Sequence, residues 1–401
     1  MSLRINSFIL SSAERYCLVI DNSTKLPIYY PNLFITTQIR NSSKSVSTMI
    51  SAAASLIVLL NFINERNINL EERILTKKFF SLSEFDDLRD FTQKRHVSEN
   101  ISKVVSISKK KDTFITSQSH YNRLTVIYKY IEWLSLEITE NQDKLFINNL
   151  NRCLRSIKAQ RPAKKGRNNL IKSKALSKED VDFLFEVIRL NSEFNPFKRE
   201  TQRRNRLIIL MLYMLGIRGG ELLNIKIQDI NFSSNQVSII RRADEKSDLR
   251  VIQPLVKTNE RIIPINDNLA KELYNYIQNE RRKVAKNKKH DYLFVVHRRG
   301  LNEGNPLPIT SYHRVIKTIK KAAPSLKTLT GHSLRHTWNL EFSKKLDSMD
   351  NPLSEERQEK IRSYLMGWKE DSGTAKIYNR RFINEKANEV ALQLQNSINK
   401  E

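Results

Sequence analysis

The 401-residue chain carries 69 lysines and arginines against 43 acidic residues, a formal net charge of +26, and is 39% hydrophobic. That length allows two or three domains with ordinary cores, and that charge points to a polyanionic partner, because each basic side chain that meets a phosphate releases condensed counterions. Cys17 and Cys153 are the only cysteines and fit neither a disulfide framework nor a zinc spacing, so a reducing, cytoplasmic setting fits and no metal or cofactor is expected. Charge alone does not separate a nucleic-acid enzyme from a nucleic-acid binder.

Residues 1–40 read as a β-rich segment of unknown role, with Tyr16–Ile20 and Leu33–Thr37 as strand-prone runs punctuated by Asp21-Asn22-Ser23 and by Pro27 and Pro31. The N-terminus lacks the apolar core and small-residue cleavage site of an export signal. The longest apolar stretch, Met49 to Leu60, is interrupted by Ser51 and Ser55. It falls short of the roughly 20 residues that span a bilayer and reads as a buried helix, so no membrane partner is expected.

Residues 41–158 read as a helical domain of four helices. The first carries Met49, Ala53, Leu56, Leu60 and Ile63 at helical spacing. The second starts near Ser83, the third follows Thr116–Ser119, and the fourth runs from about Asn141 to Ile157; a polar stretch with Lys109-Lys110-Lys111 separates the second and third. Residues 159–176 then form a basic linker. With Lys158 at its head, it holds Arg161, Lys164, Lys165, Arg167, Lys172 and Lys174 and no acid. Such a run is either a solvated tether or a strap along a phosphate backbone, and the strap is favoured here.

Residues 177–401 open on Ser177-Lys-Glu-Asp180, a capping-box-like start followed by the stripe Val181, Leu184, Phe185 and Ile188. Residues 205–215 are almost continuously apolar and read as a core helix stopped by Gly216. Gln236–Arg241, Leu249–Val256 and Arg261–Pro264 read as strands of a short antiparallel sheet, and the remainder from Asn268 reads as mainly helical. The fold class is therefore mainly α with a small antiparallel β-sheet in the second domain.

Five polar residues stand out of this background: Arg218 in Gly-Ile-Arg-Gly-Gly-Glu, Lys257 between two β-rich runs, His332 and Arg335 in Gly-His-Ser-Leu-Arg-His, and Tyr378 ten residues after Trp368. Most of the basic residues are solvated surface, but this set suits phosphoryl transfer onto a protein hydroxyl. Guanidinium groups are planar, permanently charged and bidentate, which fits the extra negative charge on a phosphodiester under attack. His332 and Arg335, three apart at a helix start, can face one phosphate, and the imidazole can move a proton. Lys257, with Lys246 as its local rival, can protonate a departing oxygen. Glu221 holds the arginine or the helix start, and His336 points elsewhere and is structural. A phenol with pKa of about 10 is a poor nucleophile until cations stabilise its oxyanion.

In their order and context these residues resemble the tyrosine recombinase (phage integrase) family, over about residues 177–395. Arg261-Ile-Ile-Pro-Ile265 resembles the end of the family's β-hairpin, and Thr374-Ala-Lys-Ile-Tyr-Asn379 resembles its nucleophile segment. Trp368 follows Gly367 where most members carry histidine and some carry tryptophan; its indole donates one hydrogen bond but cannot titrate. The interval from Arg335 to Trp368 is longer than usual for the family, with Leu346–Arg357, including Pro352, as an inserted loop.

The resemblance implies a two-domain, C-shaped clamp on double-stranded DNA, with 41–158 as the core-DNA-binding domain and 177–401 as the catalytic domain. It implies catalysis by Arg218, Lys257, His332, Arg335 and Trp368, with Tyr378 as nucleophile forming a 3′-phosphotyrosine and no cofactor. It further implies strand exchange for integration or excision of a mobile element, in the cytoplasm at the nucleoid, with accessory proteins as further partners. The amphipathic segment 382–399 would dock on a neighbouring protomer in a homo-tetramer. A type IB topoisomerase shares the chemistry but rejoins the same strand, and a catalytically idle DNA-binding accessory protein shares the fold. A generic RNA binder would need aromatic platform motifs that the sequence lacks.

Overall fold

Apolar residues recurring at three- and four-residue intervals make most of the described residues helical, and among them the strands lie in two small antiparallel sheets. The computed structural model describes residues 2–96, 114–163, 174–349, 353–369 and 390–395. The chain divides into two units, Met1–Leu170 and Ile171–Glu401.

The first unit opens on a hairpin of β1 (Leu3–Ile9) and β2 (Arg15–Asp21), in which Ile5 pairs with Val19. The expected strand at Leu33–Thr37 is instead helical: α1 (Tyr29–Phe34) runs into a π-helical turn, Ile35–Arg40. The β-branched run is overridden by burial of Phe34 and Ile35 in the core. The hydroxyls of Thr36 and Thr37 donate to the carbonyls of Asn32 and Leu33 one turn back. The Asn32 amide both donates to the Val19 carbonyl and accepts from the Val19 N–H, each at 2.8 Å.

Among the described residues of this unit five further helices follow: α2 (Val46–Glu65), α3 (Leu70–Leu75), α4 (Leu82–Gln93), α5 (Ser117–Ile138) and α6 (Lys144–Ala159). The four expected helices are all present, and α3 is an addition. Ser81 and Glu84 cap α4 reciprocally, and the side chains of Thr116 and Asp143 cap α5 and α6. By length and composition α2 is long enough to cross a membrane, contrary to the shorter stretch read from the sequence. Its Met49, Leu56, Leu59 and Phe62 are buried with Leu88, Ile131 and Phe146, so its apolarity serves this unit's core. The Lys109-Lys110-Lys111 stretch lies outside the described residues.

In the second unit α7 (Lys178–Val187) starts at Ser177, whose hydroxyl accepts from the Asp180 N–H. Next come α8 (Arg199–Leu215) and the single turn α9 (Gly219–Leu222). A three-stranded sheet of β3 (Ile230–Asn231), β4 (Gln236–Ile239) and β5 (Arg261–Pro264) follows, with Val237 opposite Ile263. The helices α10 (Asp267–Asn275), α11 (Arg282–Ala285), α12 (Ile309–Ala322), α13 (Gly331–Asp347) and α14 (Glu355–Met366) complete it. Leu207, Leu212, Ile217, Val237, Ile263, Ile319 and Leu334 share its core.

Two expectations change in this unit. Leu249–Val256 is not a strand. There the buried Arg250 pairs with Asp248 and donates to the carbonyls of Leu223 and Leu307, so a side chain makes the bonds a sheet ladder would have made. The loop expected at Leu346–Arg357 is shorter than read, since α13 runs to Asp347 and the Ser354 side chain caps α14. Only 348–354 joins the two helices, with 350–352 outside the described residues.

Candidate active site

Arg218 is set by the way α8 ends. Gly216 takes a left-handed φ of 60°, which favours glycine, and the chain turns back into α9. A Cβ on Gly216 would lie 2.9 Å from Met366 and the Trp338 ring, so the turn is also packed shut. Arg218 caps the N-terminus of α9 and is about one-third exposed. Three residues on, Glu221 is 1% exposed and accepts from the Arg218 N–H at 3.2 Å, with the Arg218 guanidinium 3.4 Å away.

Glu221 does more than hold that arginine. Its other neighbours are the Thr258 hydroxyl and the Arg261 guanidinium, each donating at 2.7 Å. Burial opposes its charge, but the positive charges of Arg261 and Arg335 and the two donated bonds hold its carboxyl below the usual range. Arg261 also donates to the Leu365 carbonyl at 2.7 Å, while the Asn259 N–H donates to the Gly367 carbonyl at 2.9 Å. One buried carboxylate thus joins the Arg218 turn, the segment leading out of Lys257, and the end of α14 beside Trp368. Sequence reasoning missed Arg261, Thr258 and Asn259. The alternation of β5 was the available signal, because Arg261 shares the inward face with Ile263 while Ile262 faces out.

His332 and Arg335 come from the first turn of α13, which Thr330 and Ser333 cap reciprocally. Arg335 is 1% exposed and donates to the carbonyls of Gly216 at 2.6 Å and Met366 at 2.9 Å. It therefore ties the ends of α8 and α14 to α13. Its guanidinium also lies 5.5 Å from the Trp368 ring centroid, within cation–π range. His332 is exposed. Partial burial pushes its imidazole below the ordinary range, helped by the charges of Arg335, Arg218 and Lys174, which favours the neutral form that can accept a proton.

His336 does not point elsewhere as expected. Its ring meets that of His332 edge-on, with centroids 4.4 Å apart, because residues i and i+4 stack on one helix face. Burial, with the charges of His332, Lys174 and Arg335, takes it down to about 4.

Arg218, His332 and Arg335 line one cleft of about 430 Å³, together with Thr330, Gly331 and Tyr312. Lys257 is exposed on the segment beside it. That segment is anchored by buried Val256, by Thr258 on Glu221, and by Leu255, whose carbonyl would lie 2.8 Å from a Cβ on Gly220. Its place is a long connection between β4 and β5 rather than a tight hairpin turn. Lys246 is likewise exposed. Trp368 is 7% exposed and packs with Met366, Trp338 and Leu365. Tyr378 lies outside the described residues.

The basic stretch is only partly described. Lys158 ends α6 with its ammonium 4.3 Å from the Tyr128 ring centroid, and the Arg161 guanidinium lies 4.8 Å from that of Tyr121. Both are packed on α5 of the first unit. Lys174 lies in the second unit, near enough to His332 and His336 to depress both imidazoles. Lys164, Lys165, Arg167 and Lys172 lie outside the described residues, as does most of segment 382–399, of which 390–395 is helical and exposed.

The tyrosine recombinase XerD of Halalkalibacterium halodurans is 30% identical over 167 residues, 41% of this chain and 46% of that protein. XerD of Staphylococcus haemolyticus is 31% identical over 160 residues, and XerC of Staphylococcus carnosus 28% over 160 residues. The chain spans about half the length of these curated relatives. Among solved structures, XerA recombinase aligns over 87% of this chain and 92% of its own at 17% identity and a TM-score of 0.36. The Tn1549 transposon integrase in complex with a circular intermediate DNA aligns over 66% of this chain and 75% of its own, at 16% identity and a TM-score of 0.42. The model of the phage integrase family matches residues 174–385, more than half of the chain and all of the cleft described above, and the chain belongs to that family.

Proposed function

We propose that this protein is a site-specific DNA recombinase that cuts and rejoins strands through a 3′-phosphotyrosine. The observation that carries this reading is the convergence of Arg218, Arg335 and His332 on one cleft, with Glu221 accepting from the Arg218 backbone. Arg218 and Arg335 would hold the non-bridging oxygens of the scissile phosphate and stabilise the charge that builds there. His332 would take the proton of Tyr378 as its oxygen attacks phosphorus, and Lys257 would protonate the departing 5′ oxygen. Trp368 would position Arg335, against which its ring lies. Attack by the 5′ hydroxyl of a partner strand reverses the step, and bond energy is conserved in the phosphotyrosine.

The partner in this reading is double-stranded DNA, for which the net charge of +26 supplies the electrostatic attraction. The first unit is proposed as a second DNA-contacting module, and Lys158 and Arg161, with Lys164, Lys165, Arg167, Lys172 and Lys174, as phosphate contacts. Exposed Val390 and Leu392 support segment 382–399 as the contact between protomers of a tetramer. Exchange for a mobile element, in the cytoplasm at the nucleoid, completes the proposal.

The test is a nicked suicide duplex incubated with wild type and with Tyr378→Phe, resolved on a denaturing gel. A covalent complex only with wild type, joined through a 3′ phosphate, is the expected result. No complex from wild type despite confirmed DNA binding would sink the reading in favour of an idle accessory protein.

A further inference from the structure

The cleft holds one more polar group that the chemistry above does not use. Tyr312, on the first turn of α12, is 4% exposed overall yet lines the cleft with Arg218, His332 and Arg335. Two glycines fix where its hydroxyl sits. A Cβ on Gly331 would lie 1.8 Å from Tyr312 Oη, and a Cβ on Gly219 would lie 2.9 Å from the same atom. The phenol is therefore wedged between the residue following Arg218 and the residue preceding His332, the two turns that carry the cleft's charged groups. Glycine is required at both flanks because any side chain there would occupy the space of the phenol.

The wedge explains the ring but not the hydroxyl. No hydrogen-bond partner for Tyr312 Oη is found among the described residues, and a phenylalanine would fill the same space. Without such a partner and not sealed from the cleft, the phenol oxygen is placed where an oxygen of a bound phosphodiester can accept its proton. Burial pushes the phenol up to about 12, so it stays protonated and acts as a donor.

We propose that the Tyr312 hydroxyl donates a hydrogen bond to a non-bridging oxygen of the scissile phosphodiester, making Tyr312 a further catalytic residue beside Arg218, His332 and Arg335. This rests on the phosphotyrosine reading, with Tyr378 as nucleophile and Tyr312 as a fixed donor. The bond would strengthen as charge moves onto that oxygen, so it would act on the cleavage step more than on DNA affinity.

The experiment uses the full chain as wild type, Tyr312→Phe and Tyr378→Phe on nicked suicide duplexes, with either a phosphodiester or one diastereomer of a methylphosphonate at the scissile position. On the phosphodiester, Tyr312→Phe should form covalent complex about tenfold more slowly or worse, with unchanged melting temperature and DNA affinity. With the methylphosphonate isomer whose methyl replaces the contacted oxygen, the deficit should vanish; with the other isomer it should persist. Wild-type rates for Tyr312→Phe on the phosphodiester, or equal deficits on both isomers, would overturn the proposal while leaving the phosphotyrosine intact. Absence of any wild-type complex would remove the phosphotyrosine reading and this inference with it. A complex retained by Tyr378→Phe and lost by Tyr312→Phe would make Tyr312 the nucleophile and overturn both assignments.

Discussion

Arg261–Glu221 and Arg250–Asp248 are built from the same chemistry: a buried arginine and a buried carboxylate 2.7 Å apart in the second unit. Arg250 spreads its remaining bonds over the carbonyls of Leu223 and Leu307, so its pair fastens the connection between β4 and β5 to the body of the fold. Glu221 instead meets the Arg218 backbone, the Thr258 hydroxyl and Arg261, and Arg261 reaches the end of α14. The first pair holds one loop; the second holds three segments that each carry a candidate catalytic side chain. A buried ion pair is weak evidence for stability in itself, since desolvation offsets much of the attraction. What separates the two is what their remaining hydrogen bonds reach.

The largest expected effect tests that separation directly. Glu221→Gln leaves Arg261 buried without its counter-charge and should cost about 3–5 kcal/mol of stability while abolishing cleavage. Asp248→Asn should cost a similar amount, yet the folded fraction should cleave normally. Denaturant unfolding together with single-turnover cleavage checks both, and a silent active site in Asp248→Asn would erase the distinction.

A smaller effect is expected at the far end of the same network. Gly367 has a φ of 64°, and a Cβ there would lie 2.7 Å from Arg261 and 2.8 Å from the Asn259 carbonyl. Gly367→Ala should therefore lose about 1–3 kcal/mol and slow cleavage through Arg261. Rates equal to wild type after correcting for the unfolded fraction would confine the network to a structural role.

The smallest effect concerns pH. His336 titrates at about 4 in the fold, below its ordinary value of 6.5. Its contribution to stability is therefore complete above about pH 6.5 and is lost as the medium is acidified towards about pH 4, because the unfolded chain takes up the proton first. The difference in unfolding midpoint between about pH 7 and about pH 5 should shrink in His336→Gln. An unchanged difference would assign the acid sensitivity to other groups.

Much of this site was legible because its residues stand at punctuation marks. Gly216 announces the end of α8 and so isolates Arg218, and Thr-Gly before His332 announces a helix start. Long-range partners were not legible. Arg261 lies in a strand of only four residues, whose alternation turns it inward but names no partner, and its contacts with Glu221 and Leu365 cross 40 and 104 positions. Tyr312 looks like one more aromatic on an amphipathic helix until the two glycines beside it are seen. The failed strands have separate causes. Leu33–Thr37 and Leu249–Val256 are both rich in strand-forming residues, but the first folds into the end of α1 and a π-helical turn that bury Phe34 and Ile35, while in the second the Arg250 side chain takes the carbonyls of Leu223 and Leu307.

The Asn32 amide on β2 has a consequence for how the protein behaves at high concentration. A strand edge with open N–H and C=O groups is a template on which another chain can pair, and long flat edges of this kind seed association. On β2 that edge is closed by the chain itself: Asn32 exchanges both bonds with Val19, the Ile28 N–H donates to the same Val19 carbonyl, and the Asp21 N–H donates to the Leu26 carbonyl. A strand arriving from another molecule meets no open ladder there.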